Sequence, residues 1–279
     1  MTLESCAQEW IAAGQHGTIE ERMERTKRWL PYYDYLAQKQ LGRPYVLEED
    51  PDGFVAALVR SGFLRETDSV LDIGAGMGGY ALELARHCES VTALEPGAAS
   101  LDVLTERAGQ CGARNVRCVC DLWESFQTEA RYDLVFSSMC PAICNPEELR
   151  RMEALSRRDC CLITVTRGST DRHRGAMMAQ LGIRPKGGMV TEALHYFNVL
   201  YLMGRQPNVL CRTVHSEYDI DAETILAQYP IYFRIFGVDE EASSAFLKDY
   251  LAKNADSGVL HDESTVRLAM ITWRVDENG

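Results

Sequence analysis

One run of residues has types and spacing suited to chemistry: Val70-Leu71-Asp72-Ile73-Gly74-Ala75-Gly76-Met77-Gly78-Gly79-Tyr80. An apolar strand ends in an acid, glycines follow at alternate positions, and a helix-like stretch from Ala81 to Arg86 comes next. Glycines lack a Cβ, so the backbone can turn tightly and come close to a ligand. They also leave backbone N–H groups at a helix N-terminus aimed at that ligand. The run reads as a nucleotide-type cofactor site. Two more apolar runs end the same way: Val91-Thr92-Ala93-Leu94 stops at Glu95, and Val116 to Cys120 stops at Asp121. An acid after each of three successive strands is a stronger signal than any glycine pattern.

Two readings of the glycines compete. Gly74, Gly76 and Gly79 fit the G-x-G-x-x-G of NAD and FAD enzymes. Asp72, Gly74, Gly76 and Gly78 fit D-x-G-x-G-x-G, which resembles motif I of class I S-adenosylmethionine (SAM)-dependent methyltransferases. The three acids favour the second, although Glu95 alone does not discriminate. The resemblance spans about Ser69 to Thr166 and implies SAM as cofactor. It implies that Asp72 reaches the cationic methionine end and that Glu95, with Pro96 beside it, accepts both ribose hydroxyls. Asp121 would hydrogen-bond the adenine amino group, in a loop Cys120-Asp121-Leu122-Trp123 that looks like the family's adenine-side loop. Trp123 covers the adenine face or packs in the core. Asp72 and Asp121 have a plainer reading as loop-capping carboxylates. Gly74, Ala75, Gly76 and Gly78 complete the expected cofactor lining, together with Leu122 and with Ser137 at the ligand edge of the strand Tyr132–Ser137. Asp133, at the start of that strand, reads as structural.

Strand and helix alternate through Ser69–Ile73, Gly79–His87, Ser90–Leu94, Ala98–Gly109, Val116–Cys120, Tyr132–Ser137, Pro146–Ser156 and Cys160–Thr166. Such alternation implies an α/β fold with a parallel sheet covered on both faces. The resemblance makes it a Rossmann-like, seven-stranded, mostly parallel sheet whose last strand, Leu268–Val275, inserts antiparallel. An N-terminal helical cap is expected over 1–60, with Ile19–Leu30 stopped by Pro31 and a second helix to Gln40. Residues 61–279 form the cofactor domain, with a helical substrate lid over about 215–255. The lid helices are Ala222–Gln228 and Glu240–Lys253; the strand Val209–Val214 precedes them.

Candidates for the substrate pocket are Tyr32 and Tyr33 in the cap, Met139 and Cys140 after the fourth strand, and His195 on a helix over Thr191–Met203. Each has a structural alternative: aromatics packed on the sheet edge, small residues packing a loop, a core histidine. Cys140 and Cys144 would suit a soft metal or metalloid, making an arsenite-type methyltransferase. A C-x-x-x-C pair alone is a weak metal signal, and no metal site is expected. The basic segment Gly168–Gly188, with Arg167, Arg172, His173, Arg174, Arg184 and Lys186, is a solvated loop and short helix or a rim that steers an anionic substrate.

The formal charge of −12 over 279 residues disfavours phosphate backbones and anionic membranes as partners. The ten cysteines need no disulfide reading in a chain of this size. Met1 to Gly17 has no signal pattern and no stretch approaches a membrane span, so a cytoplasmic protein with a small-molecule substrate is expected. Oligomeric state is not legible. The leading function is methyl transfer from SAM to a small molecule. The alternatives are an NAD-dependent oxidoreductase and a non-catalytic SAM-binding protein. No catalytic dyad is visible, and methyl transfer needs a base only where the acceptor must lose a proton.

Overall fold

The computed structural model describes residues 2–13, 17–48, 50–166, 170–183 and 191–275. Its sheet starts from β1 (Ser69–Ile73), β2 (Ser90–Leu94), β3 (Val116–Val119), β4 (Tyr132–Ser138) and β5 (Ser156–Val165), all parallel and ordered β3-β2-β1-β4-β5. The interior strands are apolar on both faces, as double burial requires. β8 (Val259–Arg274) runs antiparallel to β5, and β7 (Asn208–Asp221) pairs antiparallel along the other side of β8. A two-residue strand, β6 (Thr170–Asp171), meets β8 at Ser264 and Thr265, on from the stretch paired with β5. Among the described residues this makes eight strands where seven are expected, and the last strand inserts antiparallel, as the resemblance implies.

Helices α4 (Gly79–Ala85), α5 (Ala98–Cys111) and α3 (Phe54–Arg60) bury Leu84, Leu104, Phe54 and Leu58 against Val70, Phe136 and Cys161 on one face of the sheet. On the other face α1 (Leu3–Ala13), α6 (Pro146–Ala154) and α8 (Ala193–Leu202) bury Trp10, Leu149 and Tyr196 against Leu71, Val135 and Trp273. The period-2 alternation of strand side chains assigns Val70 to one core and Leu71 to the other. A third cluster joins α2 (Ile19–Gln38), α7 (Arg172–Gln180), α9 (Ala222–Arg234) and α10 (Glu240–Asn254) through Trp29, Tyr32, Met177, Tyr232, Phe233 and Leu247. The first sixty residues are therefore shared among all three clusters.

Several boundaries differ from expectation, each for a physical reason. Pro31 does not stop a helix: α2 runs through it for 20 residues, fixed at its start by a Thr18–Glu21 capping box and held by Trp29 and Tyr32 in the third cluster. A proline inside a helix costs about 3 kcal/mol, which packing of this size offsets. α9 likewise passes Pro230 with Tyr229, Tyr232 and Phe233 buried. β7 continues seven residues past Val214, taking 215–221 out of the expected helical lid. That stretch is polar and owes its order to pairing with β8 from His215↔Thr265 to Asp221↔Val259. Of the basic segment, Arg167, Arg184 and Lys186 lie outside the described residues. His173 is buried, with Nδ1 2.8 Å from the Tyr250 hydroxyl and Nε2 3.1 Å from the His261 carbonyl. Arg174 pairs with Asp171 at 2.9 Å. These two side chains are engaged within the fold.

Candidate functional site

The parallel register levels the C-terminal ends of β1, β2 and β4: Ile73 pairs with Leu94 and with Ser137. Whatever follows those three strands therefore meets at one edge, where ligands bind in open α/β sheets. The glycine loop comes first. Gly74, Gly76 and Gly78 all hold positive φ, at 77°, 54° and 85°. Gly79 is an ordinary helical residue whose missing Cβ would meet nothing within 4 Å. The backbone thus demands the alternate series 74-76-78, and not the third glycine of G-x-G-x-x-G. Gly78 caps α4 in the left-handed conformation, where a Cβ would lie 2.7 Å from Leu104 Cγ. Gly78→Ala is expected to destabilise by about 2–4 kcal/mol, combining left-handed strain with overpacking. A urea unfolding midpoint measures it.

Gly76 differs, because a Cβ there would project into open space. Its N–H donates to Glu95 Oε2 at 3.0 Å, and Gly97 N–H donates to Glu95 Oε1 at 2.9 Å. Two backbone donors thus fix the Glu95 carboxylate at the loop, each taking one of its roughly four lone-pair sites. The remaining sites suit two vicinal hydroxyls. Asp72 lies one residue inside the sheet, 2 % exposed, with Oδ2 buried and without a partner. Burial, and then the Glu95 charge, push its carboxyl up to about 7. A buried carboxylate with an orphan oxygen normally costs free energy. A cationic ligand group at that oxygen would remove the cost.

The structure gives other expected site residues definite places. Asp121 Oδ1 accepts from Leu122 N–H at 2.8 Å and from Ser125 Oγ at 2.6 Å, so it caps the turn after β3. Ser137 is buried, donating its hydroxyl to the Ile73 carbonyl at 3.0 Å, which ties β4 to β1. Trp123 packs in the core, with Nε1 2.6 Å from Glu148 Oε2 and Arg151 stacked 4.0 Å over its ring. Its indole N–H is spent on a buried carboxylate, and this is a correction to an adenine-covering role. Trp123→Phe is expected to cost about 1–3 kcal/mol, because Glu148 loses a donor. SAM affinity should stay within about threefold, a difference under 1 kcal/mol. Parallel denaturation and calorimetric titration read the two quantities. Asp133, as expected of a structural residue, accepts from Ser69 N–H at 2.8 Å, far from this edge.

After β4 the chain does something no pattern announces. Met139 adopts φ 52°, left-handed for a non-glycine residue, while its N–H donates to Ile163 O at 2.8 Å. Such strain concentrates at functional sites. It lays Cys140 on the glycine loop, so that a Cβ on Gly74 would sit 2.8 Å from Cys140 Sγ. Burial pushes the Cys140 thiol up to about 12, against a hydrogen bond with the Ala142 backbone that lowers it. Cys144 is buried and its thiol is also raised by burial. Among the described residues no group of three His, Cys, Asp or Glu side chains could hold a metal ion.

α2 supplies the roof. Tyr33 lies within electrostatic reach of Cys140 and Glu95, and Glu95 within reach of Asp34. Burial raises the Tyr33 phenol well above its ordinary value. Trp29 stacks on the Tyr33 ring at 5.8 Å, and Tyr32 accepts from Gln228 Nε2 at 2.9 Å on α9. The approach of Asp34 to Glu95 was not legible: a lone acid on a polar helix gives no signal. His195 is half-buried on α8, next to Tyr196, whose hydroxyl donates to the Ile143 carbonyl in the Cys140–Cys144 loop.

A family model described as a methyltransferase domain matches residues 70–158. A curated relative, the ribosomal RNA small subunit methyltransferase A of Dehalococcoides mccartyi (strain CBDB1), is 28% identical over 85 residues, covering 30% of this chain and 28% of that protein. The chain thus spans less than a third of the length of the curated relatives it matches. Among solved structures, the 4+2 cyclase SpnF aligns at TM-score 0.51 and 15% identity over 94% of this chain and 98% of its own. The YcgJ protein from Bacillus subtilis aligns at TM-score 0.50 and 13% identity over 80% and 98%. Both likenesses concern the fold. Residues 70–158 match a methyltransferase domain, and the sheet order and the 74-76-78 loop conformation agree with the fold of class I S-adenosylmethionine-dependent methyltransferases.

Proposed function

We propose that the chain moves the methyl group of SAM to a small-molecule acceptor. The observation that carries the reading is Asp72, a buried carboxylate with an unpartnered oxygen on the strand that leads into the glycine loop. SAM supplies a methyl on a positively charged sulfur, so that transfer is a displacement in which charge is neutralised. The chain's own residues have three tasks. Asp72 offers its oxygen to the cationic methionine end, Glu95 offers its remaining lone pairs to the ribose, and Asp121 Oδ2 is left for the adenine side. Tyr33 on α2, 42% exposed and stacked on Trp29, is placed to cover a bound ligand and exclude water, which would strengthen every electrostatic contact inside. Cys140 stays a neutral thiol, and a thiol is a poor nucleophile, so it does not compete with the acceptor for the methyl.

A small acceptor is supported by that aromatic roof and by the net charge of −12, which suits neither RNA nor DNA. The curated relatives act on ribosomal RNA by name, and they share with this chain only a stretch of 82–85 residues. The test is release of S-adenosylhomocysteine on incubation with SAM and either a pool of small amines, phenols, thiols and carboxylic acids or total RNA. Turnover with the pool alone is expected. Turnover with RNA alone overturns the acceptor class. Tight SAM binding with no turnover in either arm favours the non-catalytic reading.

A further inference from the structure

β7 is an unusual strand. It is 14 residues long and pairs with β8 in one unbroken register from Asn208↔Thr272 to Asp221↔Val259. Among the described residues nothing pairs with its other side. Twelve of its 14 residues are exposed, including Val209, Leu210, Val214 and Tyr218 at 38–45%. Natural edge strands are guarded by brevity, proline, bulges or charged side chains, and β7 carries only the last, Arg212 in its first half and Glu217, Asp219 and Asp221 in its second. β7 contains no proline, its register shows no bulge, and it is more than twice the usual strand length. A groove of about 410 Å³, lined by Leu194, Phe197, Val209 and Ile271, continues the apolar surface from β7 onto α8, where Leu194 and Tyr201 are also exposed.

We propose that a second copy of this chain pairs antiparallel with the open edge of β7, joining the two sheets across a two-fold axis. Charge selects that occupant and that direction. Glu217, Asp219 and Asp221 lie in the second half of β7, and Arg212 lies in the first half, which has no acid. Antiparallel self-pairing sets the acidic half of one strand against the acid-free half of the other, whereas a parallel neighbour would stack acid on acid. Symmetry narrows the register. A two-fold axis normal to the sheet keeps each side chain on its own face, so the axis passes through a residue and not between two. With the axis at Val214, Leu210 faces Tyr218 of the other copy, Val214 faces its counterpart, and no two like charges stand opposed. Neighbouring backbones would exchange about one hydrogen bond per paired residue. The pairing is independent of the methyl-transfer reading, because β7 lies beyond β8 and away from the glycine loop.

Light scattering on the full chain tests the proposal, with mass measured across a dilution series reaching about 50 μM. A dimer is expected, with Val214→Lys shifting it to monomer while the far-ultraviolet circular dichroism of the folded chain is retained. A second variant reads the register as a gain. In a Cys211→Ser background, Val214→Cys is expected to form an intermolecular disulfide under mild oxidation, and Glu217→Cys is not. A monomer at the highest concentration, whether the edge is bare or reserved for a foreign strand, overturns the proposal. So does a dimer unaffected by Val214→Lys. Cross-linking at position 217 but not at 214 overturns the register.

Discussion

Asp72→Asn is expected to weaken SAM binding by about ten- to a hundredfold, the worth of roughly 1.5–3 kcal/mol for a hydrogen bond to a charged group. The same substitution should stabilise the ligand-free protein at pH 8. The sign follows from the direction of the shift: the folded carboxyl sits at about 7, above its ordinary value of 3.8. A carboxyl raised on folding binds its proton more tightly in the native state. Stability is therefore greatest below about 4, falls as pH rises from there to about 7, and carries the full penalty above it. An amide carries no such penalty, so the variant gains where the wild type has lost. Cofactor binding runs the other way. Only the carboxylate pairs with a cation, so wild-type affinity should fall up to about tenfold per pH unit below 7. Titration of SAM itself is common to both proteins, and the difference between wild type and Asp72→Asn isolates the protein group. Denaturation at pH 8 and calorimetry from pH 5.5 to 8.5 measure the two effects. A variant that binds as tightly as wild type would take Asp72 out of the site.

Gly74→Ala is expected to be the most damaging single change in the loop. It places a side chain at φ 77° and drives its Cβ to 2.8 Å from Cys140 Sγ and 3.0 Å from Cys140 Cβ. Left-handed strain and overpacking together cost about 2–5 kcal/mol. Cys140→Ala removes the sulfur but not the φ. The double variant should therefore recover part of the loss, about 1–2 kcal/mol, as a non-additive term in a double-mutant cycle. Strict additivity would mean that Cys140 does not rest on the loop. Methyl transfer should survive Cys140→Ala alone, since the thiol is held neutral and has no transfer role.

These two residues show what a sequence discloses and what it withholds. The three acids are legible because each ends an apolar run, and parallel strands of matched register must then present Asp72, Glu95 and Asp121 along one edge. The choice between glycine patterns is not legible, since 74-76-79 and 74-76-78 are both present. It is decided by φ, which depends on how α4 meets Leu104. Contacts far along the chain are hidden for the same reason. Met139 turns left-handed while its N–H bonds Ile163 on β5. Trp123 goes to the core because Glu148, twenty-five residues on, takes its N–H. α2 survives Pro31 because α9 holds Trp29 and Tyr32 from the other end of the sequence. The second half of β7 has no apolar period, and β8 alone makes it a strand.

The central claim is that this cleft holds SAM, and calorimetric titration of the protein with SAM, S-adenosylhomocysteine and NADH at pH 8 tests it most directly. Binding of both adenosyl ligands, no binding of NADH, and loss of the SAM signal in Asp72→Asn are predicted. Binding of NADH without SAM, or SAM binding indifferent to Asp72, would contradict the account.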